Sequence, residues 1–530
     1  HSISTKARFS GKTKGVSCFV HKLGDSLMRK YVYKLKGLLF ISVIFSVINA
    51  VINAAMLLFP GLLIDNYKKG FPYIQKMLLI YALVFIGYMI NAYFSNRAAD
   101  YRRILFEKAI KKDFFTSAIE QNYKSFHSRD VGEYISLQTN DIAEMCMNYM
   151  NPLFFILDSM VMIIIFGIAL IKFVNVYVTL AVIVFSVLIV FIPSLTGKSV
   201  SKRNKTYMDK LGRYTSTVKT LYESHEILDK AGKDKINSYH EKELDDVMDD
   251  FMKYRRLNSL AMVLNGGSVE ALSLIVFAMV AFLLSKGMIT LGMATIAFTY
   301  STKFMDPMYE LNTNIGTVIS VSDIKKKLLQ IIDGCEKDVV SDEIISSIKT
   351  TELTKEYNEV KIHIPAANIA GSRKYLIRGE NGAGKSVFFR LLMNFEKSSS
   401  GDIFYNDKTD TNGIDRSICY SPQKPMIFDA SYEDNISIYG TYSLENLDTY
   451  EKYFPEDIIN HIKQNSDLKN LSGGEKQVIA MLRVLCSEKP ILLLDEPFAA
   501  MNQVTIDCFM RHMGEMDRTV LIIAHNIDDY

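Results

Sequence analysis

The sequence predicts two fold types on one chain: a membrane α-helical bundle of six transmembrane helices with long cytosolic extensions, then an α/β P-loop NTPase domain. Three observations carry this. Six apolar runs, each long enough for the roughly 20 residues a bilayer crossing needs, occupy the chain up to about residue 310. Gly379-Glu-Asn-Gly-Ala-Gly-Lys385-Ser386 is a phosphate-binding loop set between an apolar run and a helical one. Ile491-Leu-Leu-Leu-Asp495-Glu496 reads as a buried parallel strand that delivers two carboxylates to its C-terminal edge. The overall 49% hydrophobic and 22% charged content averages an apolar first part with a polar second part.

Residues 1–36 form a basic cytosolic segment carrying Lys6, Arg8, Lys12, Lys14, Lys22, Arg29, Lys30, Lys34 and Lys36. The membrane domain is expected over 37–312, with spans at Gly37–Ile64, Tyr73–Phe94, Pro152–Phe173, Tyr177–Leu195, Ser259–Leu284 and Ile289–Tyr309. The links at Asp65–Phe71, Val174–Val176 and Ser285–Met288 are short and lightly charged, so the excess of Lys and Arg places the N-terminus and both long loops in the cytosol. Those loops, Asn96–Tyr149 and Thr196–Asn258, are too long for ordinary connections and too polar for membrane; their spacing predicts helices that continue the spans inward. Residues 313–349 read as a charged linker, helical at first, and 350–530 as the nucleotide-binding domain.

Tyr375-Leu-Ile enters the glycines and Val387-Phe-Phe-Arg-Leu-Leu-Met leaves them as a helix, so backbone N–H groups and a helix N-terminus converge where phosphate would sit. Gly379, Asn381, Gly382, Ala383 and Gly384 form that cradle; Lys385 adds a point charge, and the Ser386 hydroxyl suits magnesium. Asp495 is the second metal ligand and Glu496 the group that polarises the attacking water. Val520-Leu-Ile-Ile-Ala-His525 is another strand, ending in an imidazole that could reach the γ-phosphate.

These motifs, with Leu471-Ser-Gly-Gly-Glu475, resemble the ATP-binding cassette family. The resemblance implies that Gln423, in Ser421-Pro-Gln-Lys-Pro, senses magnesium and nucleotide, and that Tyr357 stacks on adenine. It implies further that Ser472, Gly473 and Gly474 complete the ATP site of a second cassette, so that a second copy of the chain or a related half-transporter is the partner. Phe114-Phe115, Asp130-Val-Gly132-Glu-Tyr-Ile-Ser136 and Asn140-Asp141 resemble the first cytosolic loop of the exporter subclass, in which a short transverse helix docks onto a cassette. Gly287-Met-Ile-Thr290-Leu-Gly292 and Pro307 match the same subclass. The resemblance therefore implies a half-transporter that uses ATP and Mg2+ to move a peptide, lipid or hydrophobic small molecule out of the cytosol by alternating access. The implied setting is the plasma (inner) membrane of a bacterium, multi-pass, with both termini cytosolic.

The pattern departs from the family at Ala499-Ala-Met-Asn502, where a small-residue-to-aspartate turn is usual, and at Glu475, where glutamine is commonest. A mixed dimer, a peptide exporter that has shed an N-terminal protease domain, and an ATP-gated regulatory or channel-like protein stay open as alternatives. His1 in place of Met, and the stop five residues after His525, leave open that the chain is a fragment at both ends. Within the spans, Asn49, Asn53, Asp158, Asn265 and Glu270 are candidates for the wall of a substrate cavity, and equally for interhelical hydrogen bonding.

A net charge of +3 gives no argument for nucleic acid; the basic N-terminal stretch suits anionic lipid headgroups or serves simply as a topology signal. Cys18, Cys146, Cys335, Cys419, Cys486 and Cys508 are scattered and predicted cytosolic, which suggests reduced thiols and neither disulfides nor a metal site.

Overall fold

The computed structural model describes residues 26–173, 176–334, 343–357, 360–380, 382–409 and 413–524. By contact, the chain divides into one unit of residues 1–116 and 132–334 and another of 117–131 and 335–530.

In the first unit, helices Lys36–Asp65, Asn151–Phe173, Val176–Glu223, Lys230–Ser285 and Leu291–Ser320, with most of Phe71–Ile119, account for the six apolar runs. Four meet the length and hydropathy of a bilayer crossing among the described residues: Lys36–Asp65, Phe71–Ile119, the run Val131–Phe173 and Lys230–Ser285. Leu291–Ser320 falls short because threonines, Lys303 and Asp306 dilute it. The apolar part of Val176–Glu223 lies mostly on residues whose side chains are outside the description. Long helices do continue the spans, through Ile119, through Glu223 and from Lys230 onward.

Two sets of contacts hold these helices in register. Away from the extensions, the Asp65 carboxylate accepts from the Thr290 hydroxyl at 2.6 Å and the Gly292 N–H at 2.7 Å, placing an anion at the N-terminus of Leu291–Ser320. The helices touch there through glycines: a Cβ on Gly292 would lie 2.2 Å from the Gly61 carbonyl oxygen. One level further in, the buried Tyr300 hydroxyl donates to the Ala54 carbonyl, and Tyr300 packs with Phe166, Leu170, Val276, Val280 and Phe304. Along the extensions, Lys210 Nζ sits 2.6 Å from Asp246 and 2.8 Å from Asp250, while the Tyr214 hydroxyl meets His240 Nε2 at 2.7 Å.

In the second unit, β5 (Lys374–Ile377), β9 (Thr519–Ile523), β8 (Ile491–Asp495) and β7 (Ile418–Ser421) form a parallel sheet in that order. Strands β8 and β9 are buried on both faces, as continuous aliphatic runs require. Leu492, Leu494, Val520 and Ile522 pack with Val478, Ile479 and Leu482 of helix Gly473–Cys486. Leu493, Leu521 and Ile523 pack with Phe388, Phe389 and Leu392 of helix Lys385–Leu392. The sheet is thereby clamped between the helix of the phosphate loop and the helix of the Ser472-Gly-Gly motif. A second sheet, β4 (Ala367–Ile369), β1 (Ile348–Thr350) and β6 (Ile403–Tyr405), is antiparallel, and β2 (Leu353–Tyr357) pairs with β3 (Val360–Ile364) as a hairpin.

Residues 117–131 fold with this second unit. Asn122 caps the short helix Tyr123–Phe126 by accepting from the Ser125 N–H, and the Tyr123 ring stacks on Phe395 with centroids 4.2 Å apart and planes 6° from parallel. Of the loop between the second and third apolar runs, this short helix is the part that packs with the second unit; Tyr134, further along, instead packs on Phe114 of the first unit.

Candidate nucleotide site

Because β5, β7, β8 and β9 are parallel, their C-terminal ends lie along one edge of the sheet, and β5, β7 and β8 each deliver a motif there. The phosphate loop leaves β5 and turns into helix Lys385–Leu392 through Gly382 (φ +84°) and Gly384 (φ +89°). Gly384 is required twice over, by its left-handed backbone and by Ile362 of β3, whose Cγ2 would stand 2.3 Å from any Cβ. Lys385 Nζ donates to the carbonyls of Gly379 at 2.7 Å and Glu380 at 3.0 Å, so the loop is closed over its own cation. Asn381 lies outside the described residues, as does His525; the last described residue after β9 is Ala524.

Asp495, at the end of β8, is 3% exposed. Its Oδ2 accepts from the Tyr420 hydroxyl at 3.2 Å, the carboxylate also hydrogen-bonds Ser386, and Oδ1 has no partner among the described residues. Burial pushes this carboxyl above the usual aspartate range, while the bonds from Ser386 and Tyr420 favour its charged form. A buried carboxylate oxygen left open beside a hydroxyl suits a hard, oxygen-seeking cation. Two of the three residues predicted for magnesium, Ser386 and Asp495, meet here, while the third, Gln423, is bonded to Glu496.

Glu496 follows in a left-handed conformation (φ +48°), its N–H fixed to the Ile523 carbonyl at 2.9 Å. That turn brings its Oε2 to 2.6 Å from Gln423 Nε2, delivered by β7. Backbone strain of this kind is characteristic of functional positions.

Ser472 caps helix Gly473–Cys486 in a reciprocal box: its hydroxyl accepts from the Glu475 N–H, and the Glu475 carboxylate accepts from the Ser472 N–H at 2.9 Å. His461 Nδ1 contacts the same carboxylate. Burial alone would raise the Glu475 carboxyl, but the Ser472 and His461 contacts outweigh it and hold it below the usual glutamate range. Its stabilising contribution is therefore present above the unfolded-state value and lost as pH falls through the folded one. Glu475→Ala is expected to destabilise the chain by about 1 kcal/mol, read as a lowered unfolding temperature that Glu475→Gln largely restores.

The Ser472-Gly-Gly motif is also tied to the turn after Glu496. A Cβ on Gly474 would lie 2.5 Å from the Ala500 carbonyl oxygen, and the buried Gln477 accepts from the Ala500 N–H at 3.1 Å. Asn502 is engaged as the cap of helix Gln503–Glu515, accepting from the Thr505 N–H at 2.9 Å, a role aspartate fills as well.

Tyr357, at the end of β2, engages a neighbouring ion cluster. Its hydroxyl donates to Glu396, which Lys355 and Arg390 also approach at 3.3 and 3.4 Å. Two residues the motifs did not single out prove central. Tyr420 not only touches Asp495 but lies edge-on to Phe395 at 6.2 Å, so a line of rings runs from Tyr123 through Phe395 and Tyr420 to the Asp495 carboxylate. Gln477 is the other, and its signal was a polar side chain among Val478, Ile479 and Leu482 on a buried helix.

Of the candidate cavity residues in the first unit, Asn49 and Asp158 line one cavity, together with the unforeseen Arg102. Asn53 instead donates to the Asn49 side chain at 3.0 Å. Glu270 is exposed on its helix and does not line that cavity, and the Asn265 side chain is outside the description.

Known families match both parts of the chain. The family described as ABC transporter transmembrane region matches residues 39–308, and the one described as ABC transporter matches 365–499. The ATP-dependent lipid A-core flippase of Wigglesworthia glossinidia brevipalpis is 26% identical over 93% of this chain and 89% of its own length. The lactococcin transport/processing ATP-binding protein LcnC-like of Lactococcus lactis subsp. lactis (strain IL1403) is 31% identical over 33% of this chain, a stretch that spans only 25% of that relative. The multidrug resistance-like ATP-binding protein MdlB of Buchnera aphidicola subsp. Schizaphis graminum is 21% identical over 85% of the chain and 82% of its own length. With a membrane region of this family covering just over half of its length and a nucleotide-binding cassette fused behind it, the chain belongs to the ABC transporters, in their exporter-type half-transporter arrangement.

Proposed function

We propose that the chain is one half of an ATP-driven exporter that hydrolyses Mg-ATP. The observation that carries this reading is the convergence of Lys385, Ser386, Gln423, Asp495 and Glu496 at one sheet edge, on a chain that also carries the apolar helices. In this reading Lys385 moves from the loop carbonyls to the terminal phosphates. Ser386 and Asp495 would hold magnesium, and Gln423, now bonded to Glu496, would be the further candidate ligand. Magnesium supplies neutralisation of the charge that develops between the β- and γ-phosphates. Glu496 takes the proton of the attacking water, and His525 steadies the γ-phosphate. Tyr357 stacks on adenine only if ATP binding releases its hydroxyl from Glu396.

Ser472, Gly473 and Gly474 serve the site of a second cassette, so the working unit is a dimer in the bacterial inner membrane with both termini cytosolic. Binding energy is coupled to transport because ATP favours the paired arrangement over the separated one; without that difference it would shift nothing. The transported compound is of the peptide, lipid or hydrophobic small-molecule classes.

The test is accumulation of a labelled candidate in inside-out vesicles that hold this chain alone. Uptake against a gradient, dependent on hydrolysable ATP, supports a self-sufficient exporter. ATP hydrolysis that only speeds equilibration would instead establish a gated pore, and absence of both with the chain folded would mean that an unlike partner chain is needed.

A further inference from the structure

Helices Lys36–Asp65, Phe71–Ile119 and Asn151–Phe173 enclose a cavity of about 490 Å³ in the first unit, within the size range of small-molecule sites. Its lining carries charges of both signs that do not neutralise each other. Arg102 is 3% exposed; its guanidinium donates to the Ser42 hydroxyl and lies over the Phe154 ring with Cζ 3.2 Å from the centroid. That leaves the Nε–H edge, which has no partner among the described residues, nor has the buried Asn151 Oδ1 on the same wall.

Asp158 is hydrogen-bonded to Ser46. Ser42 and Ser46 are one helical turn apart, so the two serines hold the cation and the anion side by side without an ion pair between them among the described residues. An always-charged arginine kept from water and unpaired is costly, and it is commonly kept for an occupant. Asp100 also lines the cavity, which makes the charge inside net negative and disfavours a purely anionic guest.

Depth narrows the class further. Ser42 and Ser46 lie about 7 and 14 Å along the helix from Gly37, at 1.5 Å per residue, and Arg102 lies beyond the end of the second apolar run. The cavity thus straddles the boundary between hydrocarbon and headgroups. Phe155, which also lines it near the start of the third apolar run, is 51% exposed.

We propose that this cavity takes the headgroup of a zwitterionic aminophospholipid from the cytosolic leaflet, its phosphate on Arg102 and its ammonium on Asp158. The choice of leaflet rests on the exporter reading and its orientation; occupancy of the cavity does not.

The experiment measures binding of phosphatidylethanolamine and phosphatidylglycerol, matched in their fluorescent acyl chains, to the full chain in maltoside micelles. The ethanolamine lipid is expected to bind at least about tenfold more tightly. Asp158→Asn should remove that preference while sparing the glycerol lipid, and Arg102→Gln should weaken both. Ser46→Ala, which frees Asp158 without removing its charge, should blunt the preference and does not depend on Arg102→Gln folding. Equal binding of the two lipids, equal loss of both in Asp158→Asn, or glycerophosphoethanolamine binding as tightly as the intact lipid would each overturn the proposal. A Lys385→Ala chain that binds no ATP yet keeps the lipid preference would show the site standing even where the exporter reading fails.

Discussion

Replacing Glu496 by glutamine is expected to lower magnesium-dependent ATP hydrolysis by about 10²- to 10⁴-fold, the usual loss when a general base is removed, while ATP binding is retained. The amide keeps the size of the carboxylate and its left-handed backbone, and its oxygen can still accept from Gln423 Nε2, which now lies 2.6 Å from Glu496 Oε2. What it cannot do is take a proton from water. Phosphate release and equilibrium nucleotide binding, measured on the same preparation, separate the two effects. Retention of more than about a tenth of the hydrolysis would remove Glu496 from the role of base.

The largest effect expected on the fold is at Gly292. A Cβ there would lie 2.2 Å from the Gly61 carbonyl oxygen and 2.3 Å from Asp65 Cγ, while one on Gly61 would lie 2.3 Å from Ile296 Cγ1. Small residues at a membrane helix contact allow the backbones to approach, and neither backbone can give way without breaking the Asp65 bonds to Thr290 and Gly292. Gly292→Ala is expected to cost about 1–3 kcal/mol, and Gly292→Leu more than that, enough to abolish a monodisperse product. Gly316→Leu is the control: it lies in the same helix, where an added Cβ meets nothing within 4 Å. Chromatographic profile and unfolding temperature in detergent decide the matter; equal behaviour of the two leucine variants would mean that the contact between Gly61 and Gly292 is not a determinant of the fold.

The phosphate loop, Asp495 and Glu496 were legible because their chemistry fixes both residue type and spacing, and because a strand of four aliphatics can only be buried. Helices over the apolar runs were legible because hydropathy is a sum over neighbours in sequence, and four of the expected six meet the length and hydropathy of a crossing among the described residues. Tyr420 and Arg102 were not, because each gains its meaning from partners far along the chain: Asp495 for the first, Ser42 and Phe154 for the second. Asn49 and Asn53 show the limit of periodicity. Their spacing put them on one face, but only the structure shows Asn53 turned back on Asn49 while Asn49 alone reaches the cavity. Tyr357 marks another limit, as distance from the glycines says nothing of Glu396, which holds its hydroxyl.

The seating of residues 117–131 among those of the nucleotide-binding unit has a consequence for synthesis on the ribosome. Tyr123 emerges long before Phe395, the ring it stacks on, and at about 5–20 residues per second the gap amounts to ~10–50 s. Throughout that interval the Tyr123 ring lacks Phe395 and has its local neighbour His127 to stack on, and the later unit takes in a segment made a few hundred residues earlier. Biogenesis of the two halves is therefore interleaved. Excising the nucleotide-binding domain at the boundary suggested by chain order would take Tyr123 away from Phe395 and leave that ring with its edge-on contact to Tyr420.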